Sequence, residues 1–186
     1  MAIEKPKYKI LKKDKNIEIR EYAGYILAEV RVEGDSYNSA GSTAFRSLAD
    51  YIFGNNVSSD KISMTAPVSS TKLSEKIAMT VPVSTSKVSN QNYKVSFTMP
   101  SKFNMDNLPK PNNSDVKIIK VESFKAVAIR FSGYTTENKI ENKINELRKW
   151  AEENKIVLKG EPTINRFDAP WTPGIFRTNE VLFRII

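Results

Sequence analysis

Ile26-Leu27-Ala28-Glu29-Val30-Arg31-Val32-Glu33-Gly34-Asp35-Ser36-Tyr37 is the stretch on which the fold turns. Ile26, Ala28, Val30 and Val32 alternate with Leu27, Glu29, Arg31 and Glu33, the period of two expected of a strand with one buried face. Gly34-Asp35-Ser36 then breaks the strand. From Tyr37 onward Ala40, Ala44, Phe45, Leu48, Ala49 and Ile52 recur at helical spacing, so the pattern predicts a helix over 37–53 with Asp35 or Ser36 as its N-cap and Gly54 as its stop. The plan is written twice. Residues 17–52 superimpose on 116–151 at a constant offset of 99 without a gap, matching Ile19 to Ile118, Arg31 to Arg130, Gly34 to Gly133 and Leu48 to Leu147. In the second copy Val127, Ile129 and Phe131 alternate, and Thr135 or Thr136 can cap a helix over 136–153. That helix has an apolar stripe of Ile140, Ile144, Leu147 and Ala151 and a charged outer face that includes Lys139, Glu141, Lys143 and Arg148.

A shorter repeat lies between the copies. Lys61 to Ser69, KISMTAPVS, returns as Lys76 to Ser84, KIAMTVPVS, with seven of nine residues identical. Each copy is a β-prone run whose proline cannot donate to a ladder, which suggests extended segments at a sheet edge or barrel rim. Tyr93, Val95, Phe97 and Met99 alternate as a further strand, Val181, Phe183 and Ile185 as the closing one, and residues 165–170 are expected to match 64–67. Two strand-helix-strand units that each expose an apolar helix stripe must bury it against sheet. The expected fold is therefore α+β, a barrel of two pseudo-symmetric β-α-β repeats (about 17–100 and 116–186) forming a single domain, 1–186.

Composition narrows the chemistry. The chain has 186 residues, 40% of them apolar, with no His and no Cys. Ser-His-Asp and Cys-His triads, Cys/His zinc sites, iron-sulfur clusters and disulfides are thereby excluded. Carboxylate, Lys or Tyr mechanisms survive, and so does binding without chemistry, which is the reading adopted; the chain is not expected to be an enzyme. The N-terminal residues lack the apolar core of a secretory signal, and no run approaches the roughly 18 apolar residues of a membrane span, so a cytoplasmic monomer is expected. The net charge is +8, and residues 1–20 carry seven Lys/Arg against three Asp/Glu, a net +4 that is half of it. No aromatic stacking motif accompanies this cluster, so it reads as a solvated basic strand rather than a specific nucleic-acid site.

Seven motifs in order make the chain resemble the SOUL haem-binding protein family from about Tyr8 to Ile186. They are Ile17 to Tyr22 (IEIREY), Phe45 to Asn56 (FRSLADYIFGNN), Lys61 to Val68, Phe97 to Phe103 (FTMPSKF), Phe131-Ser132-Gly133, Arg166 to Gly174 (RFDAPWTPG) and Arg177 to Val181 (RTNEV). The resemblance implies a distorted antiparallel β-barrel flanked by two α-helices. It also implies reversible binding of haem or another tetrapyrrole by a cytosolic carrier or buffer. One branch of that family is assigned a His ligand, a mode this chain excludes. Another is thought to hold porphyrin by apolar contact, which carries over to Phe45, Leu48, Ala49 and Ile52 of the first helix, Arg46 beside them, and Leu182 with Arg177 or Arg184 near the C-terminus. Burying roughly 300 Å² of porphyrin at about 25 cal/mol/Å² gives on the order of 7 kcal/mol before association entropy, an affinity around micromolar unless iron finds a ligand. Tyr51, Met64 and Met79 are the candidate ligands, though each reads more readily as core.

The two-copy plan also resembles, more loosely, the GyrI-like effector-binding domains, in which a cavity between the repeats takes bulky hydrophobic or cationic compounds and a buried carboxylate supplies the counter-charge. Glu180 stands where that carboxylate would be. It could equally pair with Arg166 or Arg177 near the surface. A third possibility is that the helical stripe of residues 140–151 docks on a protein partner. Trp171, in Ala169-Pro170-Trp171-Thr172-Pro173-Gly174, either lines a site or plugs one end of the barrel.

Overall fold

The computed structural model describes residues 3–58, 74–169 and 171–186. The first copy of the short repeat, with Met64, and also Pro170 lie outside these residues. The elements in chain order are β1 (Tyr8–Asp14), β2 (Ile17–Tyr22), β3 (Tyr25–Glu33), α1 (Tyr37–Ile52), β4 (Asn56–Val57), β5 (Val83–Ser89), β6 (Asn92–Thr98), β7 (Lys110–Pro111), β8 (Lys117–Val121), β9 (Phe124–Ser132), α2 (Glu137–Glu153), β10 (Leu158–Arg166) and β11 (Thr178–Ile185). Strand β9 begins and ends 99 residues after β3. The helix turns carry the expected signals. Ser36 Oγ accepts from Ser39 N at 3.0 Å and Thr136 Oγ1 from Lys139 N at 3.3 Å. Gly34 is required by close approach, since a Cβ there would stand 3.1 Å from the Ala40 nitrogen, and Gly133, its counterpart, by a φ of 101°.

Nine strands form one antiparallel sheet in the order β1-β2-β9-β11-β10-β5-β6-β3-β8, curled into a half-barrel with β1 and β8 at its edges; β4 and β7 pair separately. Read from β2 to β8 the order is symmetric about the β10–β5 seam. Each repeat contributes its first strand to the other repeat's side: β2 pairs with β9 and β8 with β3, and the register agrees, because Tyr22↔Phe124 has Val121↔Tyr25 as its image. At the seam Ile164 faces Thr85, flanked by Asn165↔Ser84 and Thr163↔Ser86, so the pseudo-two-fold passes through that central pair. Strand β10 is thus the counterpart of β5. By this register Asn165 corresponds to Ser86, while the 64–67 segment that the sequence pattern matched to 165–170 lies outside the described residues.

Both helices cover one face of the sheet, α1 on β3, β5 and β6 and α2 on β9, β10 and β11. Between them lies the main core, which includes Leu48, Ile52, Val95, Phe97, Ile129, Leu147 and Phe183. The second copy of the short repeat is irregular over 74–82, contains a cis Val81–Pro82 peptide and enters β5 at Val83. Among the described residues no helix is long and apolar enough to cross a membrane.

Candidate functional site

Strand alternation decides what the other face of the sheet presents. Along β11, Val181 and Phe183 enter the main core, while Glu180, Leu182 and Arg184 point to the opposite side. Along β9 the same split sends Val127, Ile129 and Phe131 inward and leaves Ala126 and Ala128 beneath the opposite face. Both alanines are packed under Tyr22 and Leu182. The curl of the sheet encloses on this face a cavity of about 570 Å³, within the range of small-molecule sites.

One wall is aromatic. Tyr22 and Phe124 stack with centroids 4.9 Å apart and planes 8° from parallel, Tyr8 tilts against Tyr22 at 5.0 Å, and Tyr25 meets Phe124 edge-on at 6.1 Å. Leu27, Ile119, Val121 and Leu182 complete the apolar lining. Among the described residues that line the cavity, seven side chains are Lys or Arg and three are Glu. The space is therefore apolar in its middle and cationic around it.

Its floor holds a buried ion network. Glu180, 0% exposed, accepts from Arg20 Nη1 at 2.7 Å, Arg130 Nε at 3.4 Å and Asn165 Nδ2 at 3.1 Å. Arg20, also buried, donates through Nε to Glu18 at 2.8 Å and through Nη1 to the Tyr22 hydroxyl at 2.9 Å, and its guanidinium lies 4.3 Å from the Tyr8 ring centroid. Arg130 Nη2 donates to the Tyr8 hydroxyl at 3.0 Å, and Lys13 reaches Glu18 at 3.2 Å. Burial, the largest influence, would depress the Arg20 guanidinium, but the Glu180 carboxylate and the Tyr22 hydroxyl together carry Arg20 above its ordinary value. Burial likewise works to raise the Glu18 carboxyl, yet the bonds from Arg20 and Lys13 hold it below the usual carboxylate value. Burial, then the charge of Glu180, pushes the Tyr22 hydroxyl up, and burial does the same to Tyr25.

Glu180 is thus neither a surface partner of Arg166 or Arg177 nor an uncompensated counter-charge. Arg166 is directed elsewhere, to Asn38 Oδ1 at 2.8 Å, Thr85 Oγ1 at 3.2 Å and Thr135 Oγ1 at 3.3 Å, where it ties the start of α1 to the turn before α2. Arg177 donates from Nε to the Thr172 carbonyl at 2.8 Å.

The residues proposed from sequence for a ligand site fall on both sides of the sheet. Leu48 and Ile52 are buried in the main core, Phe45 is half-buried edge-on to Phe97 at 5.5 Å, Ala49 is half-buried and Arg46 is exposed. Leu182 lies across the sheet in the cavity, so no single cavity gathers it with the α1 residues. Of the ligand candidates, Tyr51 is in the core with its hydroxyl donated to the Pro109 carbonyl at 2.7 Å, and Met79 is 40% exposed. Trp171 neither lines a described cavity nor plugs the barrel; it is 86% exposed. Sequence reasoning missed Arg20, Tyr22 and Phe124. No local signal marks them, because Tyr22 and Phe124 meet only where β2 pairs with β9.

Comparison with known proteins agrees with this architecture. A solved structure of the EcmrR C-terminal domain superposes with a TM-score of 0.63 at 15% identity, covering 96% of this chain and 98% of that one. An uncharacterised conserved protein from Listeria innocua gives 0.58 at 12% identity over 92% and 93%, and a hydrolase from the same organism gives 0.57 at 10% identity over 95% and 94%. At such identities the likeness is one of fold, the GyrI-like plan. A search of curated protein sequences finds no significant match. The model of one protein family, described as SOUL heme-binding protein, matches residues 3–184. Tetrapyrrole binding is the property that family's description carries, and the chain belongs to the SOUL heme-binding protein family.

Proposed function

We propose that this protein binds haem or a related tetrapyrrole reversibly, as a cytosolic carrier or buffer, and performs no covalent chemistry on it. The observation that carries the reading is the cavity on the open face of the sheet, whose stacked aromatic wall suits a flat macrocycle and whose excess of cations suits propionates. The residues present fit the macrocycle better than they fit its metal. The chain has no His or Cys, and the hydroxyls of Tyr8 and Tyr22 are engaged by arginines. When bound, haem would supply its iron; the protein supplies apolar contact, charge and exclusion of water.

The effector reading, a hydrophobic cation neutralised by a buried acid, is disfavoured by the same floor. Glu180 already faces Arg20 and Arg130, and a cation would have to displace a buried guanidinium to reach it. A second position for the tetrapyrrole is the outer side of α1, where Phe45 and Ala49 are half-buried beside the exposed Arg46.

Hemin titration followed at the Soret band tests the function, and two substitutions separate the positions. Leu182→Glu places a charge in the cavity and is expected to weaken hemin binding by about tenfold or more, while Ala49→Glu leaves it nearly unchanged. The reverse ranking assigns the site to α1. A Soret spectrum identical to free hemin, with no uptake of other porphyrins, refutes tetrapyrrole binding altogether.

A further inference from the structure

Past Phe167, at the mouth of the cavity, the chain makes a loop that displays large apolar side chains to solvent: Trp171 is 86% exposed, Ile175 73% and Phe176 69%. Three such residues on one short segment are unusual for a surface that meets only water. The loop is firmly supported. Gly174 sits against the Tyr134 ring so closely that a Cβ would fall 2.1 Å from it, and Arg177 lies over the other part of this support, 5.5 Å from the Tyr134 centroid, while bonding the Thr172 carbonyl. Turn bonds from Thr172 to Ala169 and from Phe176 to Pro173 close the backbone on itself, and Asp168 accepts from Thr178 N. Among the described residues the backbone that carries these apolar side chains is thus fixed by its own bonds and by Tyr134.

The surroundings are cationic. Lys5 lies 5.7 Å from the Phe167 ring, Lys139 5.8 Å from the Phe131 ring, and Arg177 is in the loop itself; the whole chain carries +8. We propose that this loop docks the protein on an anionic lipid bilayer, with Trp171, Ile175 and Phe176 entering the headgroup boundary and the flanking Lys and Arg against the headgroups. A bilayer is the occupant these features fit. The exposed apolar side chains include a tryptophan, the neighbourhood is basic, and insertion demands no complementary groove. The inference does not depend on which ligand the cavity takes.

Co-sedimentation of the full chain with vesicles of phosphatidylcholine, alone and mixed with phosphatidylserine, tests it. Binding is expected only with phosphatidylserine and to decline with salt. In a Trp150→Phe background, where Trp171 is the remaining tryptophan of two, its emission should shift to the blue on binding. The double variant Trp171→Ser, Phe176→Ser should bind about tenfold more weakly or less, with an unchanged thermal midpoint because both residues are exposed. The proposal is overturned if the wild type ignores phosphatidylserine vesicles at low salt, or if the double variant binds them equally well, since charge alone would then suffice. It is also overturned if the wild type elutes as a dimer that this variant reduces to a monomer, which would make the loop an interface between copies.

Discussion

At Glu180 the residue-scale question is whether the acid serves a ligand or the fold. It is fully buried with two arginines and an asparagine on its oxygens, and the Arg20 it faces has Glu18 as its other carboxylate partner. Removing one charge of such a pair leaves the other buried and under-compensated, at a cost of about 3 kcal/mol. For a chain of this length that is a fall of roughly 6–12 °C in thermal midpoint. Glu180→Gln is therefore expected to lower the melting temperature substantially, measured by calorimetry, while changing hemin affinity little. A variant that melts like the wild type but no longer takes up a bulky lipophilic cation would instead identify Glu180 as the ligand's counter-charge. The sequence placed the acid correctly on the last strand. It could not supply the partner, because Arg20 comes from the second strand of the chain and meets Glu180 only when β2 crosses to β9 and β9 pairs with β11.

Among the elements, the offset of 99 made β3, α1, β9 and α2 legible, since the strand and helix periods and the glycines 34 and 133 recur at matched positions, with the second helix and its cap one residue later. The same comparison was silent on the exchange of first strands. Local periodicity says that β2 and β8 are strands but carries nothing about which ladder they join; each extends the other repeat's part of a sheet whose two parts meet at the β5–β10 pair. The apolar stripe of α1 was legible as a stripe, yet its use was not, because a helix covering a core and a helix lining a ligand need the same spacing. The exchange has a consequence for stability. Each repeat alone lacks the strand that pairs with its own third-strand ladder, so Ala126 and Ala128 would lose the cover of β2, and Leu27 that of β8. Expressed separately with a break between Asn112 and Asn113, the two halves should each show little fixed tertiary structure by near-ultraviolet circular dichroism. Mixed together they should regain the intact protein's spectrum. A half that folds and melts cooperatively alone would count against the interlock.

In the molecule as a whole, the sheet carries the helices and main core on one side and the cavity on the other, with a lysine-rich β1 at one open edge where charge discourages pairing with another chain. That division also bears on what a bound tetrapyrrole gains from its metal. Iron taken by tyrosine requires the phenolate, and burial moves the Tyr22 and Tyr25 hydroxyls upward, away from that form, while Tyr51 is bonded inside the core. In the proposed complex the remaining cavity side chains would act on the ring and its carboxylates, through aromatic contact and through Lys and Arg. Metal-free protoporphyrin should therefore bind with an affinity within about threefold of hemin, and both should weaken together as salt rises, because the rim cations are partly exposed to screening. Parallel fluorescence and Soret titrations at two ionic strengths measure this. A preference for hemin of about a hundredfold, roughly 2.7 kcal/mol, would require a ligand on the iron and would direct attention to Met64 or Met79.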